Sequence, residues 1–184
     1  MEKLPTIAYW ITSNSVFWQK ERWFFTMNLE TKLFGTVGVS EEKKIHFPGG
    51  IIGFPDLKDF ILIHDEEVEE NNKISWMQSV QEPAFALPVI NPLIVKPIYN
   101  PMVDDKLLKP LGEWTDDDLL VLVTITVPSD LTKMTVNLKA PMLINSKERK
   151  ACQIILEEEE YPVKYPIYDI LKAAKEIAEK EQGH

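Results

Sequence analysis

Side chains able to do covalent or metal chemistry are few in this chain of 184 residues: His46, His64, His184, the single Cys152, and acid runs at Asp65 to Glu70, Asp116 to Asp118 and Glu157 to Glu160. A zinc centre needs several Cys, His or carboxylate ligands at close spacing, and no HxH, HExxH or Cys-His pattern occurs. Cys152 lies in the apolar alternation ACQIIL, which predicts burial as a small hydrophobe rather than use as a nucleophile. General acid-base work needs one desolvated carboxylate beside a partner in a cleft, whereas contiguous acids diverge into water. A calcium loop needs oxygens at regular offsets around a central glycine, which DEEVEENN lacks. The glycines of PGGIIGF lead into Phe54-Pro55, not into the Lys and Ser or Thr of a phosphate loop, and read as a structural turn. No catalytic, metal or cofactor site is expected.

Charge and composition narrow the partners. With 29 Asp plus Glu against 20 Lys plus Arg, the net charge of -9 repels a phosphate backbone, so no direct nucleic-acid contact is expected. The basic tip Lys147, Arg149 and Lys150 is too small to reverse that balance. One cysteine excludes an intramolecular disulfide framework and fits a reducing cytoplasm. The apolar run at Leu119 to Val123 is soon interrupted by Thr124, Thr126 and Pro128, far short of a membrane span, and no membrane association is expected.

The elements that must carry the surface are mostly strands. TKLFGTVGVS, LKDFILIH, ISWMQSV, AFALPVI, LLVLVTITV, MTVNLKAPMLIN and ACQIILEEEE alternate or are rich in branched residues, with turn formers between them. ISWMQSV and AFALPVI, joined at Gln81-Glu82-Pro83, are expected as antiparallel neighbours, and ACQIILEEEE as the last strand. Phe54 and Phe60 are expected to be buried on either side of the PGGIIGF loop. Prolines 88, 92, 97, 101 and 110 predict extended pieces and turns from Asn91 to Pro110, without helix. Thr115 and Asp118 form a capping pattern for a turn or two of helix before the LLVLVTITV strand.

From Pro166 the period changes: Ile167, Ile170, Leu171, Ala174, Ile177 and Ala178 fall on one helical face, with Pro166 in the first turn. The fold class is therefore mainly β: a single-domain antiparallel or mixed β-barrel-like fold with short helical turns and one C-terminal amphipathic helix.

Seven of the 18 aromatics stand in residues 1–26. Three readings of this extension are open: a cover for the core, a partner or membrane-surface contact, or upstream sequence ahead of a start at Met27, the one favoured here. The domain division is then 1–26, an N-terminal extension; 27–167, the barrel; and 168–184, the rest of the helix.

The segments MNLETKLFGTVGV, IHFPGGIIGFPDLKDFILI, QSVQEPAFALPVINP, LLVLVTITVPSDLTKMTVNLKAPMLINSKERKACQIIL and YPVKYPI together resemble the bacterial flagellar assembly factor FliW family, over about Met27 to Ile167. The resemblance implies a cytoplasmic binding protein without enzyme activity or cofactor, monomeric when free. Its implied partners are the translational repressor CsrA, which it would antagonise, and flagellin; the alternative is a flagellin-holding chaperone without CsrA antagonism. Phe47, Pro48, Gly49, Gly50, Gly53 and Phe54 are similar to the family's FPxGIPGF signature, Asn91-Pro92 to its NP turn, and Pro141, Ile144 and Asn145 to its APIVIN strand end. These are expected to be framework, with Gly49 and Gly53 permitting the turns.

Position 52 is Ile where the family often has proline. Lys164 and Tyr165 stand where its YxxRHP tail has Arg and His, which removes the planar donor fork. Glu157, Glu158, Glu159 and Glu160, with Lys164 and Tyr165, are the candidate protein contacts, because a basic repressor would meet an acidic surface. The terminal helix is expected either to shield the barrel or to meet flagellin helices through its apolar face.

Overall fold

The fold is given by a computed structural model that describes residues 2–3, 26–64 and 74–182. Most of the aromatic extension and the run Asp65 to Glu70 lie outside the described residues. In chain order the elements are β1 (Glu2–Lys3), β2 (Thr26–Thr31), β3 (Gly35–Ser40), β4 (Ile45–His46), β5 (Asp59–His64), β6 (Ser75–Ser79), β7 (Ala86–Ile90) and helix α1 (Pro92–Val95). Next come β8 (Met102–Val103), α2 (Asp105–Leu108), β9 (Leu119–Thr126), β10 (Thr135–Val136), β11 (Met142–Asn145), β12 (Lys150–Gln153), β13 (Tyr165–Pro166) and α3 (Tyr168–Gln182).

Strands β4, β5, β6, β7, β9, β11 and β12 close a ring in which only β12 and β4 pair in parallel. Strand alternation sorts their side chains into two layers. Ile45, Phe60, Met77, Val89, Leu122, Met142, Ile144 and Ala151 form one buried cluster. Every ring strand contributes to it, so this cluster fills the bore. Phe47 and Phe60 meet edge to face there at 5.4 Å, both fully buried.

Neighbouring positions of opposite parity, Ile90, Val121, Val123, Leu143 and Cys152, belong to a second and larger cluster. It lies outside the ring under the proline-rich segment, with Val95, Tyr99, Leu108, Leu111, Leu156, Tyr161 and Ile167 as its cover. A third patch forms where the β2-β3 hairpin lays Leu29 and Val39 on Ile61. The protein is thus a narrow filled barrel with its outer face partly covered.

Several local expectations are corrected. The segment from Asn91 to Pro110 does contain helix, as single turns: the Asn91 carboxamide accepts the Leu93 N–H at 2.9 Å with Pro92 first inside α1, and Asp104 caps α2 through the Lys106 N–H. Proline is tolerated in a first helical turn because its missing N–H would have had no partner there. Strand β12 is not the last, because Tyr165 and Pro166 pair with Val136 and Thr135. The Ile167 N–H continues that ladder to the Met134 carbonyl at 3.1 Å, so α3 starts at Tyr168 and Pro166 lies outside it.

Packing against the barrel is seen at the first turns of α3. Ile170 and Leu171 lie partly buried on the outer cluster, while Ile177 is 58% exposed. Leu33 falls in the β2-β3 turn and is exposed, and Phe54 is half exposed.

Candidate protein-docking site

Rigid loops carry the surface, and their rigidity has identifiable sources. In the PGGIIGF loop the Phe47 N–H bonds the Lys58 carbonyl at 2.7 Å, and the Gly50 N–H returns to the Phe47 carbonyl at 2.9 Å. Gly50 has φ +68°, and a Cβ there would sit 2.4 Å from the Pro55 carbonyl oxygen. Gly53, at φ +88°, turns the chain between Ile51 and Phe54, which bridge to each other. Gly49 has neither a positive φ nor a crowded Cβ, so the turn depends on Gly50 where Gly49 was expected. Pro48 is exposed before it. Phe54 leans on Phe85 at 4.6 Å, and the Gln153 side chain accepts the Ile52 N–H at 2.9 Å.

Asn145 is the most connected of the framework residues. Fully buried beside Ile144 at the end of β11, it donates Nδ2 to the carbonyls of Leu111 and Glu113, both at 2.9 Å. Its Oδ1 accepts the Lys147 and Glu148 N–H groups, both at 3.0 Å. One side chain therefore shapes the β11-β12 tip and also ties the proline-rich cover to the barrel. Pro141, buried just before β11, accepts the Ile154 N–H on its carbonyl.

The acid run occupies the chain between β12 and β13. Leu156 and Tyr161 are buried on either side of it, and the Tyr161 ring meets Tyr99 at 4.8 Å, edge to face. Glu157, Glu159 and Glu160 are exposed. Glu158 is half-buried: its Oε1 accepts the Met102 N–H of β8 at 2.7 Å, while Oε2 is enclosed without a hydrogen-bond partner among the described residues. The Tyr161 hydroxyl accepts the Asn100 N–H at 3.3 Å, and Lys96 Nζ lies 5.8 Å from that ring. Burial, then the neighbouring Tyr161 and the Glu158 charge, hold the Tyr99 phenol far above its ordinary range, and its hydroxyl donates to the Leu138 carbonyl at 2.7 Å.

Lys164 is exposed further along the same segment. Tyr165 is half-buried in β13 against the outer cluster. The strand pairing with Val136 and the contact with the outer cluster give Tyr165 a packing role.

The other acids are used locally. Asp118 Oδ2 accepts from the Thr115 N–H and hydroxyl, and these bonds, with Lys147 nearby, hold its carboxyl below the usual range. At the basic tip Lys150 pairs with Glu148 at 2.8 Å. His46 Nδ1 lies 2.7 Å from Asp59 Oδ1 at the surface. The buried Cys152 donates to the Leu107 carbonyl at 3.6 Å, and burial pushes its thiol up to about 11. Among the described residues no three His, Cys, Asp or Glu are gathered to hold a metal, and no helix is long and apolar enough to cross a membrane. A shallow hollow of about 270 Å³ is lined by Asp105, Leu108, Lys109, Gly112 and Trp114, without a pair of groups suited to general acid-base work.

Glutamines hold the remaining loops and were not singled out by sequence reasoning. Gln78 Nε2 donates to the carbonyls of Ser79, Pro83 and Phe85, and Gln81 Oε1 accepts from the N–H groups of Lys58 and Asp59. Their signal was a polar amide inside otherwise strand-like QSVQEPAF.

Comparison with known proteins places these features in a group. The family model described as FliW protein matches residues 28–167. The flagellar assembly factor FliW of Lachnospira eligens is 50% identical over 147 residues, covering 79% of this chain and 97% of that protein. The one from Lachnoclostridium phytofermentans is 44% identical over 157 residues, covering 85% and 99%. A crystal structure of the flagellar assembly factor FliW superposes with a TM-score of 0.69 at 30% identity, covering 77% of this chain and 96% of that one.

Proposed function

The chain belongs to the FliW family, and from that premise we propose that it is a cytoplasmic flagellar assembly factor that works by binding two proteins. One is the translational repressor CsrA, whose hold on flagellin messenger it relieves; the other is flagellin. Flagellin that accumulates occupies the factor, CsrA is set free to repress again, and secretion of flagellin reverses the sequence.

The observation that carries this reading is the acid run from Glu157 to Glu160, presented on a segment pinned by buried Leu156 and Tyr161. A small basic RNA-binding repressor gains encounter rate and orientation from a fixed acidic patch, more than it gains net affinity. The bore filled by side chains supports a function performed at the surface. Catalysis has no part in the proposal.

The test titrates the purified full chain into a complex of CsrA with flagellin-leader RNA. RNA release on adding the chain, and rebinding on adding flagellin, is expected. Unchanged RNA occupancy throughout rejects the switch, and flagellin binding without any effect on CsrA selects the chaperone reading.

A further inference from the structure

The loop between β4 and β5 spends two glycines at positive φ on a turn that displays apolar side chains where polar ones would serve. Ile52 is 48% exposed and Phe54 47%, while Ile51 beside them is buried. Backbone bonds between Ile51 and Phe54, at 2.8 and 3.3 Å, and the Phe54 ring on Phe85 fix that display. The Gln153 side chain, accepting the Ile52 N–H at 2.9 Å, ties the loop to the end of β12. Two positions on, Ile155 is 60% exposed between buried Ile154 and Leu156. The N–H groups of Ile154 and Leu156 bond the carbonyls of Pro141 and Lys139, so the chain is extended here and Ile155 and Glu157 project to one side. Single exposed apolar side chains are ordinary, whereas three joined on a rigid frame mark a contact surface.

We infer that Ile52, Phe54 and Ile155 are the apolar anchor of the docking surface and receive an apolar cluster framed by Lys or Arg on the basic partner. Exposed acids adjoin each part of the anchor. Asp56 follows Phe54 by two positions, Glu82 stands in the turn whose carbonyl takes the Phe85 N–H at 2.9 Å, and Glu157 follows Ile155. Against them stand the exposed Lys58 and the partly buried Lys139. A second copy of this chain would set these acids against one another, whereas a basic frame complements them. The anchor rests on the docking reading proposed above and adds to it: the acid run steers the encounter, and the fixed apolar side chains, which lose little freedom on binding, hold the complex.

Calorimetry of the full chain against purified CsrA, at about 0.05 M and about 0.5 M salt, compares the wild type with Ile52→Ser/Ile155→Ser and with a control carrying Leu131→Ser and Ile177→Ser, which are exposed on other elements. The anchor variant is expected to melt with the wild type and to bind about tenfold more weakly at both salt concentrations, because apolar contact is not screened. Ile155→Ser alone, which leaves the glycine loop untouched, is expected to weaken binding about threefold, and the control is expected to bind as the wild type does. Wild-type affinity in both anchor variants, a deficit that disappears at high salt, or an equal deficit in the control overturns the anchor and leaves the docking reading in place. A folded wild type that binds no CsrA at either salt concentration brings down both.

Discussion

Replacing Asn145 by leucine should cost the barrel about 4 kcal/mol. The side chain is fully buried and makes four bonds, two from Nδ2 to the carbonyls of Leu111 and Glu113 and two to Oδ1 from the turn amides of Lys147 and Glu148. The turn amides lie in an exposed tip and recover water, so their net loss is small. The Leu111 carbonyl is buried and the bond to the Glu113 carbonyl is part-buried, and a carbonyl left there without a donor costs about 1–3 kcal/mol. With a urea slope of about 2 kcal/mol/M, the midpoint falls by about 2 M.

Asn145→Asp separates the two halves of this argument. It keeps the acceptor for the turn but aims a carboxylate at two carbonyl oxygens, so its pKa in the folded state must rise above the unfolded value of about 3.9. A group raised in this way stabilises most below its unfolded pKa and loses that contribution as pH rises through the folded value. The deficit of the Asp variant should therefore be smallest near pH 4 and grow toward pH 7.5. Urea unfolding at both pH values measures it. A loss below about 1 kcal/mol for the leucine variant, or no pH dependence in the aspartate variant, refutes the account of Asn145 as the tie between cover and barrel.

Four shorter tests bear on other parts of the fold. Gly50→Ala should cost about 2 kcal/mol or more, because of its positive φ and the Cβ contact at 2.4 Å from Pro55, whereas Gly49→Ala should stay within about 0.5; thermal midpoints check both. Phe60→Ala opens a hole in the bore and should lose about 3–5 kcal/mol in urea, against almost nothing for the exposed Ile177→Ala. The Cys152 thiol, pushed up to about 11, should react with a disulfide reagent at pH 8 at least a hundredfold more slowly in the native protein than in urea, on the order expected for a protonated and covered thiol. Asp118, held low by Thr115, lends stability that is present above the ordinary carboxylate range and lost as pH falls through its lowered value; Thr115→Val should shrink that acid-side loss in a pH series of melts.

Element type was legible where a single period dominated. LKDFILIH and LLVLVTITV became β5 and β9, and Thr115 with Asp118 formed the expected capping box before β9. Legibility failed where two periods or two partners competed. Both parities of β9 are apolar because one faces the bore and the other the outer cover, so alternation could not say which was which. The prolines at 92 and 110 read as breakers, yet each occupies a first helical turn, where the missing N–H does no harm. Gly49 and Gly50 are identical in sequence terms, and of the two it is Gly50 that takes a positive φ and approaches Pro55.

The candidate site divided in the same way. Glu157, Glu159 and Glu160 could be read as a solvated run from their contiguity alone, and they are exposed. That Glu158 turns inward to Met102 depends on a chain segment 56 positions away, which local pattern does not encode. Tyr165 was legible through the family tail but not as half of a short strand with Val136, since two-residue strands leave no period. Asn145 was read as framework at its strand end, while its bonds to residues 111 and 113 could be seen only once the cover was folded back.

The most direct test of docking through the acid run is calorimetry of the full chain against purified CsrA, wild type beside a variant with Glu157, Glu159 and Glu160 changed to Gln. These three residues are exposed, so the variant should melt with the wild type. The account predicts a stoichiometric complex for the wild type and a loss of at least tenfold in affinity for the variant, with the wild-type complex weakening as salt is raised. Equal affinity of the two proteins at low salt, or no heat of binding from a folded wild type, would contradict it.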